Sequence, residues 1–87
     1  MEKLEQFFKT ETLRIDAPCG TKVKIHTDYK GSIINGSEQD KAKVAEYLEV
    51  KKTYTVLMTV IHSFKTDVYL EELGFDYCFN SVNFVEV

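Results

Sequence analysis

The sequence predicts an α+β domain: a small, strongly curved antiparallel sheet of about five strands, one helix inserted in a connection, and a helical arm at the N-terminus. Three patterns carry this expectation. From Thr53 to Leu70 the apolar residues recur with period two. From Ser37 to Glu49 they recur at helical spacing behind a capping residue. Between Phe79 and Phe84 the period breaks, which bends an otherwise straight last strand. With 87 residues, 44% of them hydrophobic, and six Phe and five Tyr, the chain can build one core, so residues 1–87 form a single domain.

In Met1–Thr10, the spacing of Leu4, Phe7 and Phe8 predicts a short amphipathic helix or ordered arm over residues 1–11. The barrel-like body then takes residues 12–87. Thr12–Asp16 alternates Leu13 and Ile15 with polar neighbours, Ala17-Pro18-Cys19-Gly20 turns the chain, and Val23–His26 resumes the alternation. Lys30-Gly31-Ser32 and Asn35-Gly36-Ser37 read as loop. A helix follows over residues 38–49, with Ser37 as N-cap, Asp40 at the capping-box position, and Val44, Tyr47, Leu48 and Ala45 as its buried stripe. Lys41, Lys43, Glu46 and Glu49 form a solvated face. In the long strand from Thr53, Tyr54, Val56, Met58 and Val60 share one face and Thr55, Leu57, Thr59 and Ile61 the other. A turn at Ser63–Thr66 leads to a hairpin partner in which Val68 and Leu70 point inward, and Leu73-Gly74-Phe75-Asp76 turns the chain again. Phe79 and Val82 lie three apart and Val82 and Phe84 two apart, so a bulge or single helical turn is expected at Asn80-Ser81. The whole resembles a small barrel of the Src-homology-3 type.

Charge excludes one class of partner. A net charge of -3 and a single arginine, Arg14, disfavour a long nucleic acid, whose phosphates need many cationic contacts. A small nucleotide with two or three phosphates escapes that objection, since a few lysines and backbone amides satisfy it locally. No apolar run is long enough to cross a bilayer and the start has no secretion-signal order, so a cytosolic protein without a membrane partner is expected. Cys19 and Cys78 are then two free thiols.

Catalysis is not indicated. Cys19, His26, His62 and Cys78 have the composition of a zinc site but lack the close pairing that lets one turn present two ligands, so no metal is expected. Glu71-Glu72 and Glu38/Asp40 are placed for strand alternation and for a helix N-terminus rather than for acid–base work. There is no phosphate-binding glycine loop and no sign of a cofactor. What remains is a polar cluster. His62, Ser63, Thr66, Asn80 and Ser81 fall at one edge of the predicted barrel, with Tyr29, Tyr54, Phe64 or Tyr77 available for stacking and Lys65, with Lys22, Lys24 or Lys52, to offset phosphate. Turn chemistry accounts for Ser63, Thr66, Asn80 and Ser81 equally well.

Leu48–Val56, His62–Glu71 and Phe79–Phe84 resemble a pattern of small phage and prophage proteins, over about Val44–Val87. Such proteins usually carry Gly at the position of Lys51, which bears on the helix-to-strand turn alone. Among them the chain is most similar to the phage proteins that sequester cyclic nucleotide signals of bacterial CBASS defence. The resemblance implies a homo-oligomeric sponge in the host cytoplasm that binds a cyclic dinucleotide or related cyclic oligonucleotide without cleaving it. For this chain it implicates His62, Ser63, Phe64, Lys65 and Thr66 together with Phe79, Asn80 and Ser81, and it gives Leu4, Phe7 and Phe8 of the arm a role between subunits. The alternative is a phage accessory module that inhibits or adapts a host protein, dependent on exposed aromatics such as Phe64 and Phe75. A structural virion component is a third reading.

Overall fold

Alternation, capping and one bulge place the elements. The computed structural model describes Leu13, Arg14 and residues 16–87, so the arm expected over residues 1–11 lies outside the described residues. The elements are β1 (Lys22–Ile25), α1 (Glu38–Tyr47), β2 (Tyr54–Ile61), β3 (Thr66–Leu70), β4 (Cys78–Asn80) and β5 (Phe84–Glu86), with single 3-10 turns at Gly74–Asp76 and Ser81–Asn83. The strands form one antiparallel sheet in the order β4-β3-β2-β1-β5, which with one inserted helix is the expected small α+β fold. The ladder is open. β4 and β5 are its edges and no backbone bond joins them among the described residues, so hydrogen bonding does not close the expected Src-homology-3-type cylinder. Ser81–Asn83 nevertheless connects the two edges directly, and the Phe79 and Phe84 rings meet edge to face with centroids 6.2 Å apart.

The core gathers the inward positions of every strand: Val23 and Ile25, Tyr54 and Val56, Val68 and Leu70, Phe79 and Phe84 are all buried. Leu13 joins them, and its N–H donates to the Phe84 carbonyl at 2.9 Å. No strand is assigned to the described residues of the expected Thr12–Asp16 run, so Leu13 is attached to the sheet by that bond and by burial.

The helix starts where its cap requires. Ser37 Oγ accepts from the Asp40 N–H at 3.1 Å and an Asp40 carboxylate oxygen accepts from the Ser37 N–H at 3.1 Å, a complete capping box worth about 1 kcal/mol. It ends at Tyr47, with Leu48 as C-cap, two residues short of the expected 49. Val44 and Leu48 are buried as expected, whereas Ala45 and Tyr47 are exposed, the Tyr47 ring packing on Tyr77 at the rim. After the helix, Lys51 needs no left-handed backbone: no non-glycine residue among those described has a positive φ, so a lysine there carries no strain.

The long strand corrects the expected face assignment. Val56 pairs with Leu70 and Met58 with Tyr69, so Leu57 is an extra residue, a β-bulge. Past the bulge the faces exchange. Thr59, opposite buried Val68, takes the inner face that Tyr54 and Val56 hold before it, and Met58 turns outward and is exposed. The expected break in the last strand is a 3-10 turn, with Asn80 as its cap: Asn80 Oδ1 accepts from the Val82 N–H at 3.2 Å. No helix among the described residues is long and apolar enough to cross a membrane.

Candidate functional site

The β2–β3 hairpin closes tightly, with the His62 N–H donating to the Lys65 carbonyl at 2.8 Å and leaving Ser63 and Phe64 at the tip. Both His62 and Lys65 of this loop are already partnered. Asp67 lies on β3 two residues beyond Lys65, and its carboxylate takes the His62 Nε2 at 2.9 Å and the Lys65 Nζ at 3.5 Å. Across the sheet Asp67 pairs with Asn80, whose amide donates to Asp40 at the helix start, at 3.2 Å. The structure thus brings His62, Lys65 and Asn80 together around two carboxylates, Asp67 and Asp40.

The other candidates divide by burial. Phe64 is fully exposed at 100% and Ser63 is exposed beside it. Thr66 and Ser81 are buried, Thr66 at the start of β3 and Ser81 in the 3-10 turn. Phe79 belongs to the core, with the Lys43 ammonium 5.4 Å from its ring centroid. Tyr54 is buried, and its hydroxyl accepts from the Glu49 N–H at 2.7 Å. The expectation that Tyr54 could stack on a ligand is corrected by that burial, which ties the helix end to β2. Tyr29 is 86% exposed in a loop whose turn is held by Asp28, and no interaction among the described residues ties it to the hairpin.

A second polar group underlies the first. The His26 N–H donates to the Asn83 carbonyl at 2.7 Å, the Asn83 amide donates to the Asn35 carbonyl at 2.7 Å, and the Asn35 amide meets His26 Nδ1. Asn83 is fully buried, and among the described residues its Oδ1 has no hydrogen-bond partner. These bonds lock the Asn35–Ser37 loop, and with it the helix cap, onto the turn between β4 and β5.

Asp40 reports on this arrangement through pH. Burial pushes its carboxyl up, but bonds from the Ser37 backbone, the Asn80 amide and the Ser37 side chain, with the Lys65 charge, outweigh it and hold the group below its ordinary 3.8. Glu72 behaves alike. Burial raises it, and the Thr55 N–H on its Oε1 at 2.9 Å, its own backbone, the Thr55 side chain and Lys22 bring it below 4.5. A depressed folded pKa gives stability that is complete above the ordinary value and is lost as pH falls through the folded one. The expected outcome is a urea midpoint that drops as pH falls below about 4. Asp40→Asn should lower the midpoint at pH 7 and flatten its fall towards pH 3. Parallel pH profiles for the two proteins would contradict the assignment.

Phe75 and Tyr77 were candidates from the sequence, but their partners across elements were not. Tyr47 on α1 and Tyr77 before β4 approach to 4.4 Å between centroids, and Tyr69 on β3 and Phe75 in the 3-10 turn to 5.7 Å. Cys78 pairs with Tyr69 across the strands, on the same outward side. Phe75 is 67% exposed, and Tyr47 and Tyr77 are exposed as well. Acids surround these rings in the chain: Glu46 beside Tyr47, Asp76 between Phe75 and Tyr77, and Glu71 two residues beyond Tyr69, all exposed. The Glu46 charge, with burial and Tyr77, holds the Tyr47 phenol above its ordinary 10.0, and Cys78 first, then burial and Asp67, do so for Tyr69. The signal was present as Phe75-Asp76-Tyr77 beside a helix ending in Glu46-Tyr47, but pairing across elements is not visible from spacing.

No curated protein and no solved structure matches the chain. Residues 24–86, more than half of the chain, match the model of the family described as bacteriophage T4 protein Y07B, so the chain belongs to that phage protein family, in keeping with its resemblance to small phage proteins.

Proposed function

We propose that the chain is a phage accessory module that binds a protein in the host cytoplasm, without catalysing a reaction, by laying its Tyr69–Phe75 pair, exposed at Phe75, on a basic surface of that partner. The observation that carries this reading is the Tyr69–Phe75 pair, with Phe75 67% exposed and with Glu71 and Asp76 exposed beside it in the chain. Exposed aromatics are the usual anchors of protein interfaces. An arginine or lysine of the partner gains twice here, over a ring and against a carboxylate.

Sequestration of a cyclic oligonucleotide is the second reading, favoured by the meeting of His62, Lys65 and Asn80 at one end beside the exposed Phe64 ring. It ranks second because Asp67 already engages both side chains, and a phosphate arriving there must displace a carboxylate at 2.9 Å from His62 and 3.5 Å from Lys65. Capture from phage-infected host lysate separates the two. Wild type and Asn80→Ala should retain the same protein, Phe75→Ala should lose it by tenfold or more, and raising salt should weaken it. A protein retained equally by Phe75→Ala contradicts the Tyr69–Phe75 pair as the site.

A further inference from the structure

β2 runs past the end of its neighbour, and the bonds on either side fix which way its backbone points. Val56 donates to the Thr21 carbonyl and accepts from the Gly20 N–H, so its polar groups face the β1 side. At the other end His62 donates to Lys65, so its N–H faces β3. With the bulge at Leu57 between them, antiparallel alternation turns Met58 and Val60 towards β3 and turns the N–H and C=O of Thr59 and Ile61 away from it. β1 contacts β2 only at Tyr54 and Thr55, and its lead-in reaches Val56, so nothing among the described residues bonds to Thr59 or Ile61 on that side. The other edges are protected. α1 runs along β4, with Asp40 on Asn80, Lys43 over Phe79 and Tyr47 on Tyr77, and the Leu13 N–H covers the start of β5.

Open edges in soluble proteins are normally blunted by charge or proline. This one is not: from Thr53 to Phe64 there is no Lys, Arg, Asp, Glu or Pro. Large apolar side chains are exposed along it at Met58, Ile61 and Phe64, with the uncharged His62 and Ser63 between the last two.

We infer that this edge pairs with the same edge of a second copy, as an antiparallel ladder about a two-fold axis at Val60. The geometry is self-complementary. Thr59 lies opposite Ile61 of the other copy and exchanges both backbone bonds with it, the symmetric pair does the same, and the two Val60 residues face each other as a non-hydrogen-bonded pair. No like charges oppose along such a ladder, whereas a charged foreign strand would set its charges against Met58 or Ile61. The tip Phe64, which continues the same count to Val56, reaches the Cys19-Gly20 turn of the other copy. The pairing uses neither Phe75 nor Tyr77, so it stands or falls independently of the proposed function.

Val60→Cys, in a background with Cys19→Ser and Cys78→Ser, tests it directly, because residues facing each other across a two-fold in a non-hydrogen-bonded pair meet disulfide geometry. The expected results are twice the 10.1 kDa chain mass in solution for wild type, rapid cross-linking of Val60→Cys but not of Thr59→Cys, and dissociation by Val60→Lys with unchanged circular dichroism. A monomeric wild type at about 100 µM, or a dimer that resists Val60→Lys and leaves Val60→Cys unlinked, would overturn the inference.

Discussion

Phe84→Ala should cost about 3–5 kcal/mol, a large share of the roughly 5–15 kcal/mol that holds a domain of this kind folded. Three features converge on the residue. Its side chain is fully buried, its ring meets Phe79 edge to face, and its backbone pairs with Ile25 while its carbonyl accepts from Leu13. Removing the ring opens a cavity where the two sheet edges meet, and the short Ser81–Asn83 turn gives the chain little slack to collapse into it. Denaturant titration followed by circular dichroism measures this, with Val82→Ala as comparison, because Val82 is only half-buried. A difference below about 1 kcal/mol between the two variants would show that Phe84 is not a centre of the core.

Gly36→Ala is the second large effect. Gly36 has φ of 96°, a left-handed conformation costing a side chain about 1–2 kcal/mol, and a Cβ there would lie 2.9 Å from the Asn83 amide nitrogen and 3.0 Å from Asp40 Cβ. Asn83 is fully buried and its amide is bonded to Asn35, so it cannot swing aside. Crowding of that kind adds about 1–3 kcal/mol. Gly20 and Gly31 share the positive φ but have open space at the Cβ position, so Gly20→Ala and Gly31→Ala should show the backbone cost alone. Equal losses for all three would remove Asn83 and Asp40 from the explanation.

Where a signal is local, the sequence was legible. Ser37 and Asp40 form the capping box that their spacing predicts, Val68 and Leu70 point inward, and the three-residue step from Phe79 to Val82 marks a helical turn. The bulge at Leu57 was not visible, because an uncharged run from Tyr54 to Ile61 alternates equally well in either phase. Asn83 was missed for a related reason. Its polar side chain reads as loop, and only the fold places it under the Asn35–Ser37 loop. At the candidate site, the meeting of His62, Lys65 and Asn80 could be anticipated from the hairpin and the turn, but the role of Asp67 could not, since it depends on His62 and Lys65 both turning back onto one carboxylate.

That carboxylate decides between the two functional readings. Titration of wild type, His62→Ala and Phe75→Ala with cyclic dinucleotides, cyclic trinucleotides and linear controls, followed by thermal unfolding, tests it most directly, since a ligand of the folded state raises the midpoint by mass action. With Asp67 holding His62 and Lys65 and the Tyr69–Phe75 pair serving a protein, the midpoint should stay unchanged for every nucleotide. A concentration-dependent rise with one cyclic species, abolished by His62→Ala and kept by Phe75→Ala, would contradict the account and establish the hairpin end as a nucleotide site.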